Sequence, residues 1–166
     1  MNIFVLDSDP VKAARYHCNK HVVKMILESA SMLAIPHDNP PCNKSKAWKN
    51  HPCTRWTVEN TANYEWHCEL AYNLCMEYTT RYHKRHKMQD VIEWYSNNLP
   101  LLPKVDCVNS YCLAMPDDCK SGDAIVSYRK YYMNYKAGFA KWPEGLIPYW
   151  WVFDTIIRNN RVSIFP

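Results

Sequence analysis

Apolar residues recur along the N-terminal part of this chain at helical rather than strand spacing. Cys18, Val22, Ile26, Ala30 and Leu33 step by four or three and share one face. His17, His21, Lys24 and Glu28 keep the same rhythm on the opposite face. At about 100° per residue they lie within roughly a 60° sector, with Lys20 at its border. Asp9 followed by Pro10 is a helix start, and no further Gly or Pro occurs until Pro36. The pattern predicts one helix from residue 10 to about residue 34. Before it, Ile3 to Leu6 is a short apolar run that reads as a strand. Arg161 to Phe165 alternates apolar and polar positions and is its expected pairing partner.

A second long helix is predicted from about Pro52 to His86, after a Pro- and Asn-rich loop over 35–50. Trp56, Asn63, Trp66, Leu70, Leu74, Glu77 and Arg81 share one sector of it. Tyr64, Cys68, Ala71, Tyr72, Cys75 and Tyr82 share another. A helix apolar over most of its circumference is central and buried. Asn63, Glu77 and Arg81 then need partners, because an unpaired buried polar group costs roughly 1–3 kcal/mol. Glu77 and Arg81 are spaced to pair with each other. The alternative is that they line a cleft with His17, His21 and Lys24. A short helix is expected over 88–96, and 97–118 reads as irregular. A further helix is expected from Ser121 or Asp123 to about Ala137, with Ile125, Arg129, Tyr132, Lys136 and Phe139 along one stripe. A last helix is expected to end at Asn159-Asn160. The fold class is mainly α: one compact domain over 1–166, with a small two-stranded sheet from the chain ends.

Composition narrows the chemistry. Only three glycines occur in 166 residues, too few for a P-loop or a dinucleotide-binding turn. The 12 Tyr and 7 Trp supply stacking surfaces, and the formal charge of +4 suits a phosphate-bearing ligand without the density of a histone-like binder. No run is long enough to cross a membrane, and the N-terminal residues lack the features of a secretion signal. The eight cysteines are therefore expected to be reduced thiols in a cytoplasm.

Several short motifs together resemble a family of small, uncharacterised bacteriophage-encoded proteins. They are His17-Cys18-Asn19-Lys20-His21-Val22-Val23-Lys24-Met25-Ile26-Leu27-Glu28, His51-Pro52-Cys53-Thr54-Arg55-Trp56, Asn63-Tyr64-Glu65-Trp66 and Glu77-Tyr78-Thr79-Thr80-Arg81-Tyr82. Ala114-Met115-Pro116-Asp117, Tyr128-Arg129-Lys130-Tyr131-Tyr132 and Phe139-Ala140-Lys141-Trp142 complete the set. The family pattern has a glycine where this chain has His83. The resemblance implies a phage protein in the cytoplasm of an infected host, acting on nucleic acid or disarming a nucleotide signal of host defence. It implies no particular activity.

Metal chemistry is disfavoured by the residues themselves. Neither Cys-x-x-Cys nor His-Glu-x-x-His occurs. His17 and His21 have a spacing that can clamp zinc, with His51 or Cys53 as a third ligand, but Lys20 and Lys24 crowd that face. No metal and no cofactor is expected. His, Lys and Arg with one or two carboxylates suit metal-independent cleavage of a phosphodiester. In that reading His17, His21, Lys24 and Glu28 are catalytic. Lys20, His51, Asn63, Trp66, Glu77, Arg81, Arg129, Tyr132 and Lys136 bind a nucleotide or cyclic oligonucleotide. Three readings stand beside it. The same residues can sequester the nucleotide unchanged. The chain can be a DNA-lesion glycosylase or lyase, with Lys20 or Lys24 as amine nucleophile and Glu28 as its acid–base partner. Or an aromatic surface can bind a host protein.

Overall fold

The computed structural model describes residues 1–42 and 48–162, with the side chains of Asp154 and of 157–162 excepted. Among the described residues seven α-helices follow one another: α1 (Pro10–Tyr16), α2 (Asn19–Leu33), α3 (Pro52–Thr57), α4 (Thr61–Tyr82), α5 (Gln89–Asn97), α6 (Ala124–Tyr135) and α7 (Tyr149–Val162). A 3₁₀ turn over Asp117–Cys119 precedes α6. The fold is mainly helical, as the periodicity requires. The apolar face of α2 is the buried one, with Cys18, Val22, Ile26, Ala30 and Leu33 all fully covered. Helix α4 is the hub and packs against α1, α2, α3 and α5. One contiguous core runs from Ile3 to Trp150.

Among the described residues the expected sheet is not formed. No strand occurs among the described residues. Residues 161 and 162 belong to the last turn of α7, and residues 163–165 lie outside the described part. Ile3 to Leu6 is apolar because it threads through the core. Its four side chains are at most 4 % exposed. Its polar groups are met by side chains rather than by a neighbouring strand. Asn2 Oδ1 accepts from the Phe4 N–H at 2.9 Å, and the Leu6 carbonyl accepts from Arg129 Nε at 2.9 Å.

Both long predicted helices are interrupted. The first breaks at His17-Cys18, where both residues are extended. The break is stitched from two sides. Arg81 donates to the carbonyls of Arg15 and His17 at 3.0 and 2.8 Å, and to Asn19 Oδ1 at 3.2 Å. From the other side, Trp142 Nε1 donates to the Tyr16 carbonyl at 3.0 Å, and the Asn19 N–H donates to the Lys141 carbonyl at 2.8 Å. No local helix breaker marks this point, because the compensating bonds come from residues distant in sequence. The second long helix breaks between Val58 and Asn60. Asn60 caps α4 by accepting from the Asn63 N–H, as an N-cap side chain should. That start was legible as an Asn but was masked by continuous helical periodicity.

Helix α4 ends in the left-handed conformation at His83, with φ 54° and ψ 34°. Such a C-terminal position favours glycine, since a Cβ there costs roughly 1–2 kcal/mol. His83 is exposed and its ring is not needed for packing. His83→Gly is expected to raise stability by about 0.5–1 kcal/mol after the extra freedom of glycine in the unfolded chain is subtracted. Urea unfolding would read this as a higher midpoint at unchanged slope. Arg81→Ala is expected to cost about 3 kcal/mol or more, because it strips the half-buried Glu77 carboxylate and the helix-break carbonyls of their donor. An Arg81→Ala midpoint equal to wild type would refute that account of the break.

Candidate active site

The polar residues singled out in the sequence divide sharply once placed in the fold. Most of them turn inward and tie elements together. Asn63 donates to the Trp56 carbonyl at 2.9 Å and accepts from the Asn109 N–H at 2.9 Å. Trp66 Nε1 donates to the Ser8 carbonyl at 2.8 Å. Glu77 accepts from Arg81 Nε and Nη2 at 3.0 and 2.7 Å. Of the two readings open for that pair, the internal ion pair is the one formed. His51 caps α3, its Nδ1 accepting from the Cys53 N–H at 3.2 Å.

Arg129 is spent in the same way. It donates to the Leu6 carbonyl, pairs with Asp7 at 3.2 Å, and lies over the rings of Tyr16, Tyr149 and Trp150 at 5.5–5.7 Å. The cleft expected between Asn63, Glu77 and Arg81 and the first-helix stripe is therefore not formed, and Arg129 is committed to Leu6 and Asp7. Arg81 does reach His17, but through the backbone carbonyl in a packed junction.

The two histidines are structural neighbours rather than a solvent-facing pair. His17 is fully buried, with Nδ1 2.7 Å from the Ala13 carbonyl. His21 is 6 % exposed, stacks on Phe4 at 4.3 Å between ring centroids, and meets the Tyr132 hydroxyl. Burial pushes the His17 imidazole down to about 4, with the Arg81 charge adding to the effect. Burial, reinforced by the charges of His17, Lys136 and Lys24, holds His21 down at about 3. Both rings are neutral near pH 7. Neither suits there the imidazolium acid that phosphodiester cleavage by paired histidines requires. Tyr132 is buried against His21 and offers no face to a ligand.

Phe4 carries its packed ring on a left-handed backbone, φ 43°, which is rare for a bulky residue and costs of order 1–3 kcal/mol. The ring fills the space among His21, Tyr128, Tyr131 and Tyr132. The Asn2 side chain closes the turn from the other end. Besides accepting from Phe4, it donates to the Ala114 carbonyl at 2.7 Å. The consequence is that the head of the chain is held in place rather than frayed.

What that turn delivers is an amine on a carboxylate. Glu28 Oε2 accepts from the Asn2 N–H at 3.0 Å and lies 3.6 Å from the Met1 amino nitrogen. Glu28 Oε1 lies 3.2 Å from Lys24 Nζ. The Glu28 side chain is 13 % exposed and that of Lys24 67 %. Met1 is partly exposed although its side chain is only 4 % exposed, so the solvent it meets falls on its backbone end. Its thioether packs beside Thr54, whose hydroxyl donates to Sδ at 3.8 Å.

Three lysines lie on or near the elements that pack the chain head. Lys24 is on Glu28. Lys20 lies 5.1 Å over Phe139, and Lys136 lies 4.5 Å over Tyr131 and 5.9 Å over Phe4. Lys24 and Lys136 both lie near enough to the His21 ring to disfavour its charged form, and Lys20 lies over Phe139, which packs against that ring. Of the residues expected to form a site, Glu28 and Lys24 are thus brought together with solvent access, with Lys136 over Phe4 of the same chain head. Sequence reasoning missed the amino group and Asn2. The available signal was a polar Asn2 heading an otherwise apolar run.

A family model for pyrimidine dimer DNA glycosylases matches residues 1–90, more than half of the chain. The chain belongs to that family. No curated protein and no solved structure matches it. Within the glycosylase-family segment lie the chain head, Glu28, Lys20, Lys24 and the whole of α4. Ala114, Tyr132 and Lys136, which brace the chain head and its surroundings, lie beyond it. Among the described residues no group of three or more His, Cys, Asp or Glu side chains is placed to hold a metal ion. No helix there is long and apolar enough to cross a membrane.

The buried histidines make this glycosylase-family fold acid-sensitive. His17, His21 and His67 stay neutral when folded, with His67 pushed down to about 3 by burial, whereas an unfolded histidine binds a proton below about pH 6.5. Below that pH the unfolded state binds more protons, so stability is fully present above about pH 6.5 and falls as pH drops toward 4. Each histidine contributes a slope of up to about 1.4 kcal/mol per pH unit. Urea midpoints measured from pH 7.5 to 4.5 should fall accordingly. The slope should be shallower in His67→Gln, if that variant keeps the bond to Ser29 that His67 makes at 3.0 Å.

Proposed function

We propose that this chain is a DNA-lesion glycosylase whose nucleophile is the amino group at its head, with Glu28 as the acid–base partner. The observation that carries the proposal is the amine held 3.6 Å from a half-buried carboxylate by a strained, packed turn. Family membership supports the reaction class, since a glycosylase must break a sugar C1′–N bond and an amine with a carboxylate supplies a nucleophile and a proton acceptor. Of the readings open from sequence, these findings favour the glycosylase over phosphodiester cleavage. The histidines that cleavage requires are buried and neutral, and Arg81 and Arg129 are consumed by the fold.

Two amines touch Glu28, and geometry separates them. Lys24 sits on a mobile four-carbon stem that is largely in solvent. The Met1 nitrogen is fixed by its packed side chain and by Asn2.

The amine lone pair attacks C1′ of the damaged nucleotide. The C1′–N bond breaks, and the base leaves with that electron pair and takes up a proton. Glu28 accepts the proton released by the nitrogen. The C1′–O4′ bond then opens, the proton passes to O4′, and a C1′ iminium links protein to DNA. Lys20, Lys24 and Lys136 neutralise flanking phosphates, which makes binding fall steeply with salt. A damaged, poorly stacked base is also the least costly to expose for such attack.

Borohydride reduction during incubation with duplex DNA bearing a pyrimidine dimer tests the whole scheme. A covalent protein–DNA adduct is expected, and digestion should place it on the peptide that begins at Met1 or, after loss of Met1, at Asn2. Glu28→Gln should lower the trapping rate by about 10²-fold or more. Lys24→Met should still trap, with weaker binding at raised salt. An adduct on Lys24 would transfer the nucleophile to that side chain, and no adduct at all would overturn the reading.

A further inference from the structure

Helix α2 carries more apolar surface than the core uses. Its inward face is complete, with Val22, Met25, Ile26, Met32 and Leu33 all at most 2 % exposed. Val23 and Leu27 lie on the outer face and are 40 % and 46 % exposed. One such residue on a surface needs no explanation. Here there are two, four residues apart. A helical side chain leans over the turn before it, so Leu27 rests toward Val23 and the pair forms one ridge. Lys20 and Lys24 are exposed on the same face. At about 100° per residue, Val23, Leu27, Lys20 and Lys24 follow one another within roughly a 100° sector, and Glu28 is the next position round.

The ridge has a defined chemical setting. It shares its face with two ammonium groups. Lys24 Nζ is 3.2 Å from Glu28 Oε1, and Lys20 Nζ lies 5.1 Å over Phe139. Leu27 directly precedes Glu28, the carboxylate that also accepts from the Asn2 N–H at 3.0 Å. An aliphatic ridge beside cations is complementary to a nucleic-acid duplex, in which stacked base faces lie between two rows of phosphates. Lysines position a protein on the phosphates, and an aliphatic side chain that enters a base step unstacks it and bends the duplex. Continuity with Glu28 selects DNA over a protein groove or a lipid surface as the occupant, because the carboxylate that Leu27 adjoins acts on DNA in the glycosylase reading.

We propose that Leu27, braced by Val23, is a positioning residue that wedges into the base stack beside the lesion while Lys20 and Lys24 hold neighbouring phosphates. The sugar C1′ of a stacked nucleotide is shielded within the duplex. An amine beside Glu28 reaches it only when the nucleotide is held away from its neighbours. A wedge one residue from Glu28 fills the space opened at that point and opposes the return of the nucleotide, offsetting part of the stacking that is lost. Leu27 makes no bond to the reacting atoms, so its effect disappears on a strand that is already unstacked. This inference rests on the glycosylase reading for the identity of the site, and its test separates the two.

The test compares wild type with Leu27→Ala and Leu27→Met. The position is exposed, so both variants should fold with wild-type urea midpoints. At saturating protein, Leu27→Ala should lower the borohydride trapping rate on a pyrimidine-dimer duplex by about 10-fold or more, and leave the rate on the same dimer in a single strand within about 2-fold. Leu27→Met, still long and apolar, should restore most of the duplex rate. The salt dependence of binding should not change, since no phosphate contact is lost. A second readout needs no chemistry. The fluorescence of 2-aminopurine placed beside the dimer should rise when wild type binds and stay quenched with Leu27→Ala. Equal trapping of the duplex by wild type and Leu27→Ala, or an equal loss on both substrates, overturns the wedge and leaves the glycosylase reading standing. Absence of any adduct from wild type overturns that reading, and the 2-aminopurine response then decides the wedge by itself.

Discussion

Arg81 is the group on which the rest of the arrangement depends. Its side chain is only 2 % exposed, and burying a guanidinium is tolerable only when its donors are met. Glu77 neutralises it from one turn earlier on α4. Its remaining donors reach the carbonyls of Arg15 and His17 and the Asn19 side chain. Those acceptors exist because the chain leaves helical geometry at His17-Cys18. The break and the arginine therefore require each other. By redirecting the chain between α1 and α2, the junction sets the orientation of α2 on α4 and hence the face on which Lys24 and Glu28 emerge.

The chain head is the second constraint, and it works by strain held in place. A left-handed Phe4 persists because its ring is packed by His21 and three tyrosines and because Asn2 closes the turn. Neutral histidines suit this role. A charged His21 under Phe4, with Lys24 and Lys136 nearby, would oppose its neighbours, so burial and local charge favour the uncharged ring. The residues that look most like catalysts in the sequence are thus the ones that seat the segment carrying the amine.

The site is assembled across the boundary of the matched family segment. Glu28, Lys24 and the amino group come from residues 1–90, while the Asn2 acceptor at Ala114, the Tyr132 partner of His21 and the cation Lys136 come from later in the chain. Arg129 joins the two parts directly through the Leu6 carbonyl and Asp7. The later elements brace the chain head and add positive charge beside it.

Periodicity and local capping determined the helical class, the buried face of α2, the centrality of α4 and the start at Pro10, and narrowed the start of α6 to Ser121 or Asp123, of which Asp123 is the cap. The i, i+4 relation of Glu77 and Arg81 likewise made their pairing readable. Tertiary structure alone decided where the long helices break, since the bonds that stabilise the break at His17 come from Arg81, Lys141 and Trp142. It also decided that Ile3 to Leu6 is a buried thread rather than a strand, because its partners are side chains and not another backbone. Above all it decided which polar residues remain free. The spacing of His17, His21, Lys24 and Glu28 says that they lie close together. Only the packing of Phe4 and Tyr132 around the histidines, and of the chain head against Glu28, separates those that hold the fold from those left facing solvent.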